Sequence, residues 1–291
     1  MKVLLTGATG YFGSHLAQEL IGRGHDLHVL IRSSSRLDRI ADIVPPARCH
    51  ELEKDTFHTI RELSPDVLIH AATCYDRLGE GIHAVYKTNV GLPMLLIEAA
   101  ETAGVPLMVN TDTSLPPEIN AYALSKRHFA EWARRIAERG AIRVLNVRLE
   151  SVYGPGDDDT KFITQLLRAL LRNDAEFPLT PGEQARDFIH VKDAAEAYLR
   201  LLEHAAETTQ PSWLEAGVGS GRSVTIREFS QLARKLSGAT TQLNFGAKPY
   251  RSDEIMVTKA DVELLHEIGW SGDRGLRPGL EATIQEERRS L

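Results

Sequence analysis

Cysteine is nearly absent from this 291-residue chain, which has only Cys49 and Cys74. So few thiols in so long a chain exclude a disulfide framework and point to a reducing compartment, the cytoplasm by default. Long apolar runs are missing too, and none approaches the roughly 20 residues that a bilayer-spanning helix needs. The first apolar residues belong to a strand, so no separate charged-then-apolar leader is expected. Positive charge is not in excess: 34 Lys and Arg stand against 40 Asp and Glu, a formal charge of −6. That balance speaks against nucleic acid or a membrane surface as the main partner. There is no internal repeat and no low-complexity tract. What remains is an ordinary globular composition, 42% hydrophobic and 25% charged, with enough chain for one large domain or two modest ones.

The glycines that are present carry the first signal. Thr6-Gly7-Ala8-Thr9-Gly10-Tyr11-Phe12-Gly13 follows the apolar run Val3-Leu4-Leu5 and leads into residues 14–21, where apolar positions recur at helical spacing. Strand, glycine-rich turn and helix together aim backbone N–H groups and a helix N-terminus at a phosphate. Gly7, Gly10 and Gly13 divide three tasks: a tight turn, close approach of a pyrophosphate, and close packing of helix on strand. Thr9, Tyr11 and Phe12 complete the candidate cofactor loop. The spacing is G-x-x-G-x-x-G rather than G-x-G-x-x-G, and in isolation it reads equally well as turn punctuation. Its place at the head of an alternating chain decides for the cofactor.

Further strands read at residues 26–31, 65–70, 105–110 and 142–149. Helical patterns read at 92–102, closed by Gly104, and at 122–139, ended by Gly140. At least one short strand is expected within residues 40–58. The alternation implies parallel pairing through right-handed crossovers, hence an α/β protein with a Rossmann-type doubly wound parallel sheet. After Tyr153-Gly154-Pro155-Gly156 the composition shifts to an acidic loop, a helix near 162–172 and a Pro-rich segment. This reads as a smaller mixed α/β C-terminal substrate domain. The expected division is 1–153, with roughly 187–218 folding back onto it, against 154–186 and 219–291.

Where a dinucleotide fold carries a ribose-gripping carboxylate at the end of its second strand, this chain has Ile31, then Arg32-Ser33-Ser34-Ser35-Arg36. Guanidiniums beside hydroxyls suit a 2′-phosphate, so Arg32, Ser33 and Arg36 favour NADP(H) over NAD(H). The plainer reading is a solvated basic loop. The second strong signal is Tyr122-Ala123-Leu124-Ser125-Lys126. Residues four apart share a helix face, and an ammonium beside a phenol lowers a pKa that is otherwise about 10. Asn110-Thr111-Asp112-Thr113-Ser114, at the end of the preceding strand, offers a hydroxyl to hold a substrate oxygen, or else merely a strand cap.

These motifs, with Arg148-Leu149-x-x-Val152-Tyr153-Gly154-Pro155-Gly156 and Arg186-Asp187-Phe188-Ile189-His190-Val191, resemble the extended short-chain dehydrogenase/reductase family, in its nucleotide-sugar epimerase/dehydratase branch. The resemblance covers nearly the whole chain. It implies Tyr122 as acid/base, Lys126 as its pKa partner and a ligand of the nicotinamide ribose, and Thr113 as the third member, with Thr111 the alternative. It also implies that His70, Ala71, Ala72 and Asn89 lie along the cofactor. Cys74, Thr111, Ser151, Arg186 and Arg251 lie toward a nucleotide-diphosphate sugar, the arginines gripping its diphosphate unless Arg186 pairs with a carboxylate instead. No metal is implied. A homodimer is, through a bundle of helices 92–102 and 122–139, with Met94, Leu95, Phe129 and Trp132 serving either that interface or the core. Family dehydratases place Asp-Glu after the catalytic Thr. Thr113 is followed by Ser114-Leu115 and Thr111 by Asp112-Thr113, so dehydration is disfavoured. The Tyr-x-x-x-Lys-x-x-Phe-x-x-Trp and Arg-Leu-Glu details are similar to ketoreductases that reduce a 4-keto-deoxy sugar held on a nucleotide, with a 4-epimerase or a non-catalytic NADP sensor as the rivals.

Overall fold

The computed structural model describes residues 1–52, 54–209, 211–272 and 274–290. Within them the chain runs β1 (Lys2–Thr6), α1 (Tyr11–Gly22), β2 (Asp26–Ile31), β3 (Cys49–Glu51), α2 (Thr56–Leu63), β4 (Val67–His70), α3 (Ile82–Tyr86), α4 (Leu92–Thr102), β5 (Leu107–Thr113), α5 (Ala121–Ala137) and β6 (Arg143–Leu149). It continues through β7 (Ser151–Tyr153), α6 (Phe162–Leu171), β8 (Glu176–Leu179), β9 (Ala185–His190), α7 (Val191–Glu207), β10 (Trp213–Val218), β11 (Ser223–Thr225), α8 (Ile226–Ser237), β12 (Gln242–Phe245), α9 (Glu263–Glu267) and α10 (Leu276–Ser290).

Seven of these strands form one parallel sheet in the order β10-β6-β5-β4-β1-β2-β3. The order reverses between β1 and β4, with Thr6 opposite Leu30 on one side and His70 on the other. Open α/β sheets bind ligands at such a switch point, beyond the C-terminal strand ends. Helices cover both faces, which is why β1 and β4 are apolar without alternation. Leu4, Leu68 and Met108 from the strands pack with Leu96, Phe129 and Ala133 from α4 and α5 in one buried cluster. β3 is the short strand expected within residues 40–58.

The chain divides into two compact units. The first comprises Met1–Arg148, Ala195–Ala216 and Glu267–Trp270; the second comprises Leu149–Ala194, Gly217–His266 and Ser271–Leu291. The first therefore stops at Arg148 rather than 153, and its returning segment is shorter than 187–218. The reason is strand pairing: β7 and β9 lie side by side in a three-stranded sheet, β11-β9-β7, and carry their residues into the second unit. That unit has its own core, in which the Phe188 and Phe229 rings pack at a tilt of 37° with centroids 4.3 Å apart.

Candidate active site

The glycine loop is shaped by what it cannot hold. Gly7 has φ +80°, and a Cβ there would lie 2.4 Å from the Ala72 nitrogen; one on Gly13 would lie 2.1 Å from the Gly7 carbonyl oxygen. Gly7 therefore makes the turn and lets Ala71-Ala72 pass close, while Gly13 lets α1 press onto that turn. Gly10 is the N-cap of α1 and gives the helix no side-chain cap. The first-turn N–H groups thus point out of the loop without a capping oxygen, which suits an anion at the positive end of the helix. The loop fits a dinucleotide pyrophosphate. Phe12 packs edge-on against Tyr198, with centroids 5.7 Å apart.

Beyond β2, Arg32 is exposed, and Ser35 receives its backbone N–H at 3.0 Å. Ser33 is exposed beside it. Arg36 is paired with Asp38 at 2.6 Å, both largely in solvent. Arg39, which the sequence reading passed over, holds its guanidinium over the Tyr11 ring at 5.7 Å. Its signal was the third arginine in a short run.

β5 reaches Thr113, three residues past the strand read from sequence, and so carries the hydroxyls within the sheet. Thr111 and Thr113 share a side by the two-residue strand repeat, yet their partners differ. Thr111 bonds the Tyr198 hydroxyl at 2.9 Å. Thr113 favours the ionised form of the Tyr122 phenol, and the Tyr75 ring lies against that of Tyr122 with centroids 4.6 Å apart. Of the two alternatives, Thr111 is engaged by Tyr198, while Thr113 acts on the Tyr122 phenol.

Asn120 caps α5, taking the Ala123 N–H at 2.8 Å, and Tyr122 enters in the first turn. Lys126 follows one turn later, buried, and donates to the Thr111 carbonyl at 2.8 Å. Its pKa falls to about 8 because burial penalises the cation, with Asp112 pulling the other way. The expected acidification of the phenol is not found. Burial pushes the Tyr122 phenol well above its usual value; Tyr75 and Asp112 add to this, and Thr113 opposes it. Desolvation is the largest influence on the phenol, while the Lys126 Nζ is engaged on the strand carbonyl. The hydroxyl is therefore kept protonated, as a donor.

Asn89 lies in a π-type turn, Lys87–Gly91, an irregularity that often marks functional sites. Its side chain takes the Cys74 N–H and gives back to the Cys74 carbonyl, both at 2.8 Å, and donates to Ser125 at 2.9 Å. It thus ties the loop after β4 to the helix bearing Tyr122 and Lys126. The His70 side chain is fully buried, bonded to Thr6 at 2.8 Å and edge-on to Phe129. It braces the sheet instead of lining an open crevice. Sequence reasoning also missed a buried polar chain: Asn110 donates to Asn146 at 2.7 Å, and Asn146 donates to Asp112 at 2.8 Å. Polar residues inside apolar strands were its signal.

The remaining candidates belong to the second unit. Ser151 is half-buried on β7, opposite Phe188. Arg186 is engaged with Glu254 and with the Ala185 and Ile255 carbonyls, the carboxylate pairing that was its alternative. Arg251 is exposed. Among the described residues no cluster of His, Cys, Asp and Glu is arranged to hold a metal, and no helix is long and apolar enough to cross a membrane.

A nucleotide-binding sheet carrying a Tyr–Lys–Thr constellation defines a dinucleotide-dependent enzyme, and comparison with known proteins agrees. The NAD dependent epimerase/dehydratase family matches residues 3–217, and the chain belongs to it. It is thus an enzyme of the NAD(P)-dependent oxidoreductase type. It is 30% identical over 292 residues to CDP-abequose synthase of Salmonella muenchen, covering 97% of each chain. It is 27% identical over 312 residues to UDP-glucose 4-epimerase of Lactobacillus helveticus, covering 93% of this chain and 92% of that one. The solved UDP-N-acetylglucosamine 4-epimerase of Methanobrevibacter ruminantium M1, in complex with UDP-N-acetylmuramic acid, has a TM-score of 0.84 at 19% identity. That match covers 100% of this chain and 99% of that one, and bears on the fold.

Proposed function

We propose that the chain is a cytoplasmic, NADPH-dependent reductase of a nucleotide-linked 4-keto-deoxy sugar. The observation that carries this reading is the buried phenol of Tyr122, one helical turn before the buried Lys126, with burial raising its pKa well above the usual value. Reduction of a carbonyl needs a proton donor at the outset, whereas the oxidative half of an epimerisation needs a base. Bound NADPH supplies the hydride. Thr113 orients the substrate oxygen, Tyr122 gives it the hydroxyl proton, and Lys126 supplies positive charge beneath the site as the phenolate forms. Exposed Arg32, with no carboxylate at Ile31, supports a 2′-phosphate and hence NADP(H). The CDP-abequose synthase relative supports the reductase side.

In this reading the second unit binds the sugar nucleotide. Arg251 offers a cation to the diphosphate, and Arg186 shapes that surface from its pair with Glu254. Phe129 is spent in the core and Met94 packs against it, while Leu95, Leu124 and Trp132 are exposed. That division supports pairing of α4 and α5 across a homodimer. The rival 4-epimerase reading rests on the relative from Lactobacillus helveticus. An assay with NADPH and CDP-, dTDP-, GDP- and UDP-linked 4-keto sugars separates the two. We expect one NADPH oxidised per sugar reduced; interconversion of 4-epimers at constant NADPH would overturn the proposal. A non-catalytic NADP sensor predicts binding without turnover, and the retention of both Tyr122 and Lys126 speaks against it.

A further inference from the structure

The loop between β4 and α3 carries a cation that the fold leaves unspent. Asn89 pins the near end of this loop through two 2.8 Å bonds to the Cys74 backbone, and Tyr75 follows. The Tyr75 ring packs on the Tyr122 ring, with centroids 4.6 Å apart at a tilt of 43°. Over the Tyr75 ring, 4.5 Å from its centroid, lies the Arg77 guanidinium. Arg77 has two carboxylates close by in sequence and takes neither. Asp76 turns its carboxylate to the Gly81 N–H at 2.7 Å, and Glu80 turns to the Leu78 N–H at 3.0 Å. Among the described residues the Arg77 guanidinium enters no ion pair and no hydrogen bond. Arg36 and Arg186, by contrast, each hold a carboxylate.

A guanidinium has five donors to offer a ligand when no group of its own protein has taken them. The aromatic ring holds Arg77 in place without using a donor, which cuts the ordering cost of binding. Its position is also set: the guanidinium stands no farther from the Tyr122 ring than the two ring contacts laid end to end. In a sugar whose keto oxygen meets the Tyr122 hydroxyl, the phosphate on the anomeric carbon lies one pyranose ring away, a length of that order. Resting on the reading that the substrate is a keto sugar carried on a nucleoside diphosphate, we propose that Arg77 is the first unit's contact to the sugar-linked phosphate. Paired N–H donation to two phosphate oxygens suits the planar guanidinium. Stacked on Tyr75, the arginine ties recognition of that phosphate to a ring that lies on the reacting phenol. The dinucleotide pyrophosphate is the other source of the same chemistry, because Ala71-Ala72 pass beside Gly7 only a few residues before Arg77.

Calorimetric titration with CDP, dTDP, GDP and UDP finds the nucleoside diphosphate that the parent prefers, and its terminal phosphate stands for the sugar-linked one. In Arg77→Ala the Kd for that diphosphate rises about 10- to 100-fold, while the NADPH Kd stays within about twofold and shows that the variant is folded. Arg77→Lys recovers only part of the loss, because a point charge replaces a fork. Tyr75→Ala leaves the guanidinium unsupported and weakens the same diphosphate several-fold, and added to Arg77→Ala it costs nothing further. With NADPH and the matching 4-keto sugar nucleotide, Arg77→Ala raises KM and keeps kcat within about threefold. An unchanged diphosphate Kd overturns the proposal. So does an equal loss for NADPH, which gives the arginine to the cofactor. A fall in kcat with KM and the diphosphate Kd unchanged makes Arg77 a prop for Tyr75 alone, and overturns it as well. A parent that binds none of the four diphosphates removes the sugar-nucleotide reading itself. One that binds a diphosphate through Arg77 and oxidises no NADPH keeps the contact and loses the reductase.

Discussion

The glycine loop and the arginine loop, which the proposed function gives to one cofactor, are built in opposite ways. The first is fixed by contact: Gly7, Gly13 and Ala71-Ala72 lie so close that a single methyl group has nowhere to go. The second is held by little. Arg32 stands in solvent, and Arg36 shares an exposed pair with Asp38, a kind of pair worth only about 0–1 kcal/mol. A part common to all dinucleotides can be rigid, because the pyrophosphate does not vary. In the proposed reading, the part that reads one extra phosphate gains its energy only when that phosphate arrives. The same division separates the buried Tyr122 and Lys126, with half-buried Thr113, from the exposed Arg251 of the second unit.

The largest effects should come from the rigid side. Gly13→Val places side-chain carbon against the Gly7 carbonyl, so dinucleotide binding, followed by quenching of intrinsic fluorescence, is lost for NADPH and NADH alike. Loss for one cofactor alone would mean that the loop also selects. Tyr122→Phe lowers kcat about 10³-fold, the span of a general acid, and leaves the NADPH Kd unchanged by calorimetry. A parent-like rate would remove the phenol from the chemistry.

That contrast also explains what could be read without coordinates. β1, β2 and α4 follow from apolar runs and helical spacing, because burial on both faces leaves a plain signature. The glycines were legible since each has a steric reason to be glycine. Thr113 could be preferred from its position, but the partner that engages Thr111 is Tyr198, which lies 87 positions away along the chain. Tyr75 was invisible for a similar reason: nothing local says that a loop aromatic will lie on a helix residue far ahead in sequence. The pKa of Tyr122 was misread because spacing reports the neighbouring ammonium and says nothing of desolvation. Arg186 looked like a ligand arginine since its pairing with Glu254 depends on a distant loop.

On the soft side the effects are smaller and selective. Arg32→Ala raises the Kd for NADPH about 10- to 100-fold, the worth of one charge-assisted contact to phosphate, and leaves NADH unaffected. Arg36→Ala does less, because part of its charge is already spent on Asp38. Equal weakening of both cofactors by Arg32→Ala would make the arginine a general electrostatic aid and withdraw the NADP assignment.

The smallest effect reverses the usual sense of a site mutation. Lys126 has its pKa lowered to about 8 by burial in the folded protein, against about 10.4 for an unfolded lysine. The folded state therefore bears the cost of a buried cation in full below about pH 8. Between that value and about 10.4 the unfolded chain holds a proton that the folded one has shed, so stability rises with pH. Lys126→Met removes the cation and also the bond to the Thr111 carbonyl, worth about 1 kcal/mol. The variant should be inactive, yet more stable than the parent by about 2 kcal/mol at pH 7, with the gap narrowing by pH 9.5. Urea unfolding at the two pH values measures it. A variant less stable at pH 7 would mean that the ammonium is stabilised by its surroundings, and the claim that desolvation dominates beneath Tyr122 would fail.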